Sequence, residues 1–136
     1  MSLKRKLPKR KKTFIGKVLE FLGSRANLLR KVVVTNCFQA VVSDLTRIEF
    51  KNGAMWLCVH MDIYGKIIYG FNLSKSPDTA CILESFRKTK RKMISYGVKN
   101  LSKIIFHSDR GSVYTSADYV SELLETRSYI SYSKKG

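Results

Sequence analysis

From residue 40 onward, apolar and polar positions fall into blocks whose spacing passes from that of a strand to that of a helix and back. Ala40 to Phe50, Met55 to Tyr64 and Lys66 to Leu73 are rich in β-branched and aromatic residues, with turn signals at Asn52-Gly53 and Gly65. Asn-Gly between such runs is a strong hairpin signal, so three closely linked strands are expected to form an antiparallel meander. Ser76-Pro77-Asp78 then offers a helix N-cap, a proline for the first turn and an acid that complements the helix dipole. The helix it opens should run to about Met93, with Ile82, Leu83 and Phe86 facing the core. Lys103 to His107 reads as a fourth strand ended by Ser108-Asp109, Ser116 caps a second helix carrying Val120, Leu123 and Leu124, and Ser128 to Tyr132 is a last short strand. The predicted order is βββαβαβ, an α/β domain with a mixed five-stranded sheet.

Ahead of these blocks the pattern changes. Val18, Leu22, Ala26 and Leu29 recur at helical spacing beside Lys17, Arg25 and Arg30, predicting a short basic amphipathic helix between Gly16 and Lys31. Met1 to Thr13 is a basic run containing Lys9, Arg10, Lys11 and Lys12, whose mutual repulsion favours an arm that orders only against phosphate. We therefore expect residues 1–31 to form a basic arm and linker and residues 32–136 to form one domain, since 136 residues bury one modest core and not two.

Charge sharpens this picture. Lys and Arg total 26 against 10 Asp and Glu, a formal net charge of +16. Residues 1–31 hold eleven of the cations and a single acid, Glu20. Such a balance points first to nucleic acid as the partner. Three cysteines, Cys37, Cys58 and Cys81, with no C-x-x-C pair, support neither a disulfide framework nor a zinc knuckle, and fit a reducing cytoplasm. No apolar run approaches the roughly 20 residues a membrane helix needs, so no membrane partner is expected.

Two acids stand out against the pattern. Asp44 sits in the middle of the first apolar strand, in VVSDLTRI, where an ionised carboxylate is costly unless a cation or several donors compensate it. Asp109 sits where the fourth strand meets a glycine-containing loop, in IIFHSDRGSVYTS, and open α/β sheets place their sites at the carboxyl ends of parallel strands. If the first and fourth strands are neighbours, the two aspartates converge on one rim and can hold hard divalent cations through oxygen. The residue pattern alone equally allows each to cap a turn or to pair with Arg47 or Arg110.

Ser43-Asp44-Leu45-Thr46 and the run His107-Ser108-Asp109-Arg110-Gly111-Ser112-Val113-Tyr114 resemble the two aspartate motifs of insertion-sequence transposases, in the branch whose transposase is made by joining two reading frames. The match spans about Asn27 to Gly136. Leu57 to Asp62, Lys66 to Gly70 and Ser131 to Gly136 are similar to further segments of that family's integrase core, whereas Cys37 to Val41 keeps only Gln39 of the segment usual before the first carboxylate.

The resemblance implies a ribonuclease-H-like fold and a DDE site in which Asp44 and Asp109 are catalytic and hold two Mg²⁺ or Mn²⁺ ions, with His107 as an auxiliary group. It implies cleavage at transposon ends and transfer of the freed 3′-hydroxyl to target DNA. The family's catalytic glutamate lies on a helix beyond the last matched segment, so the chain reads as a core truncated before its final helices, with little or no strand transfer expected. Glu122 and Glu125 precede the last strand and do not match it. DNA contacts are expected from Lys9, Arg10, Lys11 and Lys12 in the arm, from Arg87, Lys88, Lys90, Arg91 and Lys92 at a helix end, and from Arg110. Further expected partners are a second copy of the chain or a full-length transposase, in a bacterial cytoplasm at the nucleoid. The rival readings are a non-enzymatic DNA-binding remnant that inhibits a full-length enzyme and, last, a basic RNA-binding structural protein.

Overall fold

A computed structural model of the chain describes residues 27–133. Most of the expected arm, with Lys9, Arg10, Lys11 and Lys12, lies outside the described residues, as do positions 134–136. Of the basic helix expected up to Lys31, the described part is a 3-10 turn, Leu28–Lys31, opened by Asn27, whose side chain accepts from the Arg30 N–H at 3.3 Å.

The elements follow the predicted order: β1 (Ala40–Phe50), β2 (Gly53–Asp62), β3 (Ile68–Ser74), α1 (Thr79–Ser95), β4 (Ile105–Ser108), α2 (Ala117–Glu125) and β5 (Tyr129–Tyr132). Several bounds move, each for a local reason. β1 and β2 pair out to Phe50 and Gly53, so the hairpin turn is Lys51-Asn52 and Gly53 already belongs to β2. β2 stops at Asp62 because its carboxylate accepts from the Tyr64 and Gly65 N–H groups at 2.9 and 3.0 Å and folds a turn there. Lys66 adopts a left-handed φ of 58°, which keeps it out of β3. Asp78, not Ser76, is the N-cap of α1, accepting from the Cys81 N–H at 3.1 Å, so Pro77 precedes the helix instead of entering its first turn. Ser116 caps α2 as expected, but its buried stripe is Tyr119, Val120 and Leu123, with Leu124 turned outward.

The sheet order is β3-β2-β1-β4-β5, with β1–β2 and β2–β3 antiparallel and β1–β4 and β4–β5 parallel. Along β1, Val41 and Ser43 are buried, and the period of two sends their neighbours to the opposite face. Both helices cover the buried face. Their Ile82, Phe86, Tyr119 and Leu123 pack with Val41, Cys58 and Phe106 in a single core. Gly70 lets β3 meet α1 closely: a Cβ there would lie 2.5 Å from the Ser85 carbonyl oxygen. On the other face Ile68, Phe71 and Leu73 are exposed, and the 3-10 turn is anchored near β5 by a Leu29 N–H to Ser131 Oγ bond of 3.1 Å. No helix among the described residues is long and apolar enough to cross a membrane.

Candidate active site

β1 and β4 pair in parallel as Ala40 with Ile105, Val41 with Phe106 and Val42 with His107. Carried two residues past its last pair, that register would set Asp44 level with Asp109. Asp109 lies one residue past the end of β4 and opens the following loop. Both aspartates are exposed.

That exposure corrects the expectation for Asp44. Val41 and Ser43 face the helices, and Asp44 lies on the other face, where its Oδ2 accepts from Thr46 Oγ1 at 3.1 Å. Water reaches the carboxylate, so no buried cation is needed to account for it. Nor is Arg47 its partner, because that guanidinium forms an ion pair with Glu49.

Asp109 is fixed by its own loop. Its Oδ1 accepts from the Gly111 N–H at 2.7 Å, and the Gly111 carbonyl accepts in turn from the Tyr114 N–H at 3.0 Å. The Tyr114 ring is buried, and its hydroxyl lies 2.8 Å from Ser43 Oγ. The Tyr132 hydroxyl donates to the Tyr114 carbonyl at 2.9 Å. Burial pushes the Tyr132 phenol up to about 12, a rise that the charge of nearby Arg110 opposes.

His107 is half-buried, with Nδ1 at 2.8 Å from Ser131 Oγ on the neighbouring strand. Burial lowers its pKa and favours the neutral ring. Asp62 is structural: it is fully buried at the end of β2, and its Oδ2 accepts from the Phe38 N–H at 2.8 Å and the Tyr69 hydroxyl at 2.6 Å. Burial alone would raise its pKa, but these bonds and those from Gly65 and Tyr64 bring it below the usual carboxylate range. Gln39, the residue kept from the segment before the first carboxylate, accepts from the Thr35 and Asn36 N–H groups at 2.8 and 3.2 Å, closing the turn that feeds β1.

Of the five cations of α1, Lys88, Arg91 and Lys92 line one groove beside β3. Arg87 donates to Glu122 at 2.6 Å, which also ties that glutamate to the helical layer, away from the face bearing Asp44. Arg91 lies 3.8 Å from Glu84, and Lys88 donates to the Phe71 carbonyl and Asn72 Oδ1, both at 3.2 Å. Lys90 sits over the Phe86 ring and Lys92 over Tyr96. Because α1 continues to Ser95, only Lys92 falls in its last turn, so the helix dipole favours that one cation and not the whole run. Among the described residues no three His, Cys, Asp or Glu side chains gather as a metal-binding group.

No protein-family model matches the chain. A transposase for insertion sequence IS904 of Lactococcus lactis is 29% identical over 114 residues, covering 83% of this chain and 43% of that protein. Another, for IS629 of Shigella sonnei, is 26% identical over 117 residues, 86% of this chain and 37% of the relative. The homologues of this chain are insertion-sequence transposases.

The chain spans less than half the length of these transposase relatives. Its fold is that of the ribonuclease-H-like integrase and transposase cores. The catalytic domain of Mos1 mariner transposase superposes with a TM-score of 0.58 at 20% identity, over 98% of this chain and 65% of that one. The HTLV-2 integrase catalytic core, solved with magnesium in a dimeric form, gives 0.55 at 15% identity, over 69% and 59%. In this transposase relative, the parallel pairing makes β1, which bears Asp44, the neighbour of β4, which Asp109 follows, while Glu122 is held in the helical layer.

Proposed function

We propose that the chain carries the two-aspartate part of a metal-dependent centre for DNA strand cleavage and transfer. Asp44 and Asp109 would present carboxylate oxygens to Mg²⁺ or Mn²⁺, and transposon ends and target DNA would be the substrates. The observation that carries this reading is the parallel β1–β4 register. The donor set fits a hard divalent ion: two carboxylates, both open to water, at neighbouring positions. Such an ion, when bound, makes a stronger nucleophile of water or a 3′-hydroxyl and offsets charge on the leaving oxygen.

The chain's own residues do the positioning. Gly111 holds one oxygen of Asp109, whose carboxylate would be one ligand of the ion. Neutral His107 adds no competing positive charge two residues before it. Arg110, Lys88, Lys90, Arg91, Lys92 and Arg87 would meet phosphates, together with Lys9, Arg10, Lys11 and Lys12. Assembly with a second copy or with a full-length transposase would bring further surface to the DNA.

The test is Mn²⁺ binding followed by water-proton relaxation, with Mn²⁺-dependent nicking of labelled transposon-end oligonucleotides, for the chain and for Asp44→Asn and Asp109→Asn. Both variants should lose Mn²⁺ binding at least about tenfold, and any Mn²⁺-dependent nicking should vanish with it. Unchanged binding in both would overturn the reading.

A second reading, DNA binding without chemistry, is favoured by the absence of a third acidic or imidazole ligand among the described residues. It requires affinity that falls steeply with salt, because each neutralised phosphate releases counterions. Affinity independent of ionic strength between about 50 and 200 mM salt would exclude a phosphate-driven interface altogether.

A further inference from the structure

We propose that Tyr114 is a positioning residue whose hydroxyl, latched to Ser43, sets the placement of Asp109 relative to Asp44. The inference rests on reading those two aspartates as a metal pair.

The loop after β4 has two points of attachment. At its start Ser108 is still paired, its carbonyl accepting from the Ser133 N–H at 2.9 Å. Asp109 then turns into solvent, and five residues later Tyr114 returns to the core. Its ring stacks edge-on against Tyr119 at 5.6 Å, and its hydroxyl reaches across to Ser43 Oγ at 2.8 Å on β1. Ser43 is the residue bonded to Asp44.

A closed circuit results. Asp109 accepts from the Gly111 N–H, the Gly111 carbonyl accepts from the Tyr114 N–H, the Tyr114 hydroxyl meets Ser43, and Ser43 leads covalently to Asp44. Both carboxylates are exposed, so no packing around them fixes their separation. Parallel pairing of β1 with β4 sets the two strands side by side, but its last pair is Val42 with His107. Beyond that point the circuit ties the two aspartates to each other. The Tyr132 bond steadies the Tyr114 backbone through its carbonyl, and Cys58 Sγ approaches the Tyr114 hydroxyl at 3.8 Å.

A tyrosine that only fills the core would need its ring and not its oxygen. Tyr114→Phe keeps the ring and removes the oxygen, while Ser43→Ala removes the partner. The experiment titrates the whole chain with Mn²⁺ by water-proton relaxation, for these two variants, their double and Asp109→Asn, with a urea unfolding midpoint for each. Each single variant should raise the half-saturating Mn²⁺ concentration about tenfold. The double should be no worse than either single, because both remove the same bond.

Wild-type Mn²⁺ affinity in Tyr114→Phe, beside lost binding in Asp109→Asn, would overturn the latch and leave the aspartate pair standing. Unchanged binding in Asp109→Asn would instead remove the pair and the latch together. Should Tyr114→Phe not fold, Ser43→Ala alone decides, since it deletes only the small hydroxyl that the Tyr114 oxygen meets.

Discussion

Asp109 depends on a neighbour with no side chain. A Cβ at Gly111 would lie 2.9 Å from Asp109 Oδ1, closer than such atoms approach, so the carboxylate and not the exposed loop would have to move. Gly111→Ala should therefore raise the half-saturating Mn²⁺ concentration about tenfold while leaving the urea midpoint almost unchanged, and equal losses in both would mark the glycine as merely structural. In the sequence the two aspartates stand out, one by a motif of eight residues and one as an acid in an apolar strand. What misled was the meaning of that strand. A charge set among apolar residues looks buried until the fold fixes which face of the strand the helices cover. Tyr114 shows a related limit: the motif names the residue, and only the fold shows its oxygen meeting Ser43.

Among the elements, α1 against β3 is the contact most sensitive to a single atom. Gly70 faces the Ser85 carbonyl, the Thr89 hydroxyl and the Thr89 nitrogen at 2.5 to 2.7 Å from where a Cβ would stand, and two of these are backbone atoms that cannot swing aside. Gly70→Ala should lower the unfolding free energy by about 2 kcal/mol or more, read from urea denaturation, whereas a change under about 0.5 kcal/mol would mean that the helix slides freely. The order of elements was readable because hairpin turns and caps are local. Their ends were less so. Three residues in a row, Ser76, Pro77 and Asp78, all suit a helix start, and the choice among them rests on which oxygen reaches the Cys81 N–H. The parallel pairing of β1 with β4 has no local signature, and the sequence raised it only as a condition for the two aspartates to meet.

At the scale of the whole molecule, His60 joins the layers. From β2 its Nδ1 meets Ser85 Oγ of α1 at 2.7 Å and its Nε2 meets the Tyr119 hydroxyl of α2 at 3.0 Å, in a site closed to water. Burial lowers its pKa from 6.5 to about 3. Between those values the unfolded chain holds a proton that the folded chain refuses, so stability is complete above 6.5 and falls with pH toward 3. The slope from this group should approach 1.4 kcal/mol per pH unit, and His60→Gln should flatten it in urea titrations between pH 4 and 6. An equal slope in that variant would assign the acid sensitivity to other groups. The crossover that makes β1 and β4 neighbours also has a consequence in time. During synthesis Asp44 emerges with a hairpin that can close at once, but its counterpart is more than sixty residues behind, past a helix that must dock before β4 has a place. For that interval a nascent chain holds one half of the rim without the other, and any divalent affinity it has begins late, when the ribosome has released Tyr114.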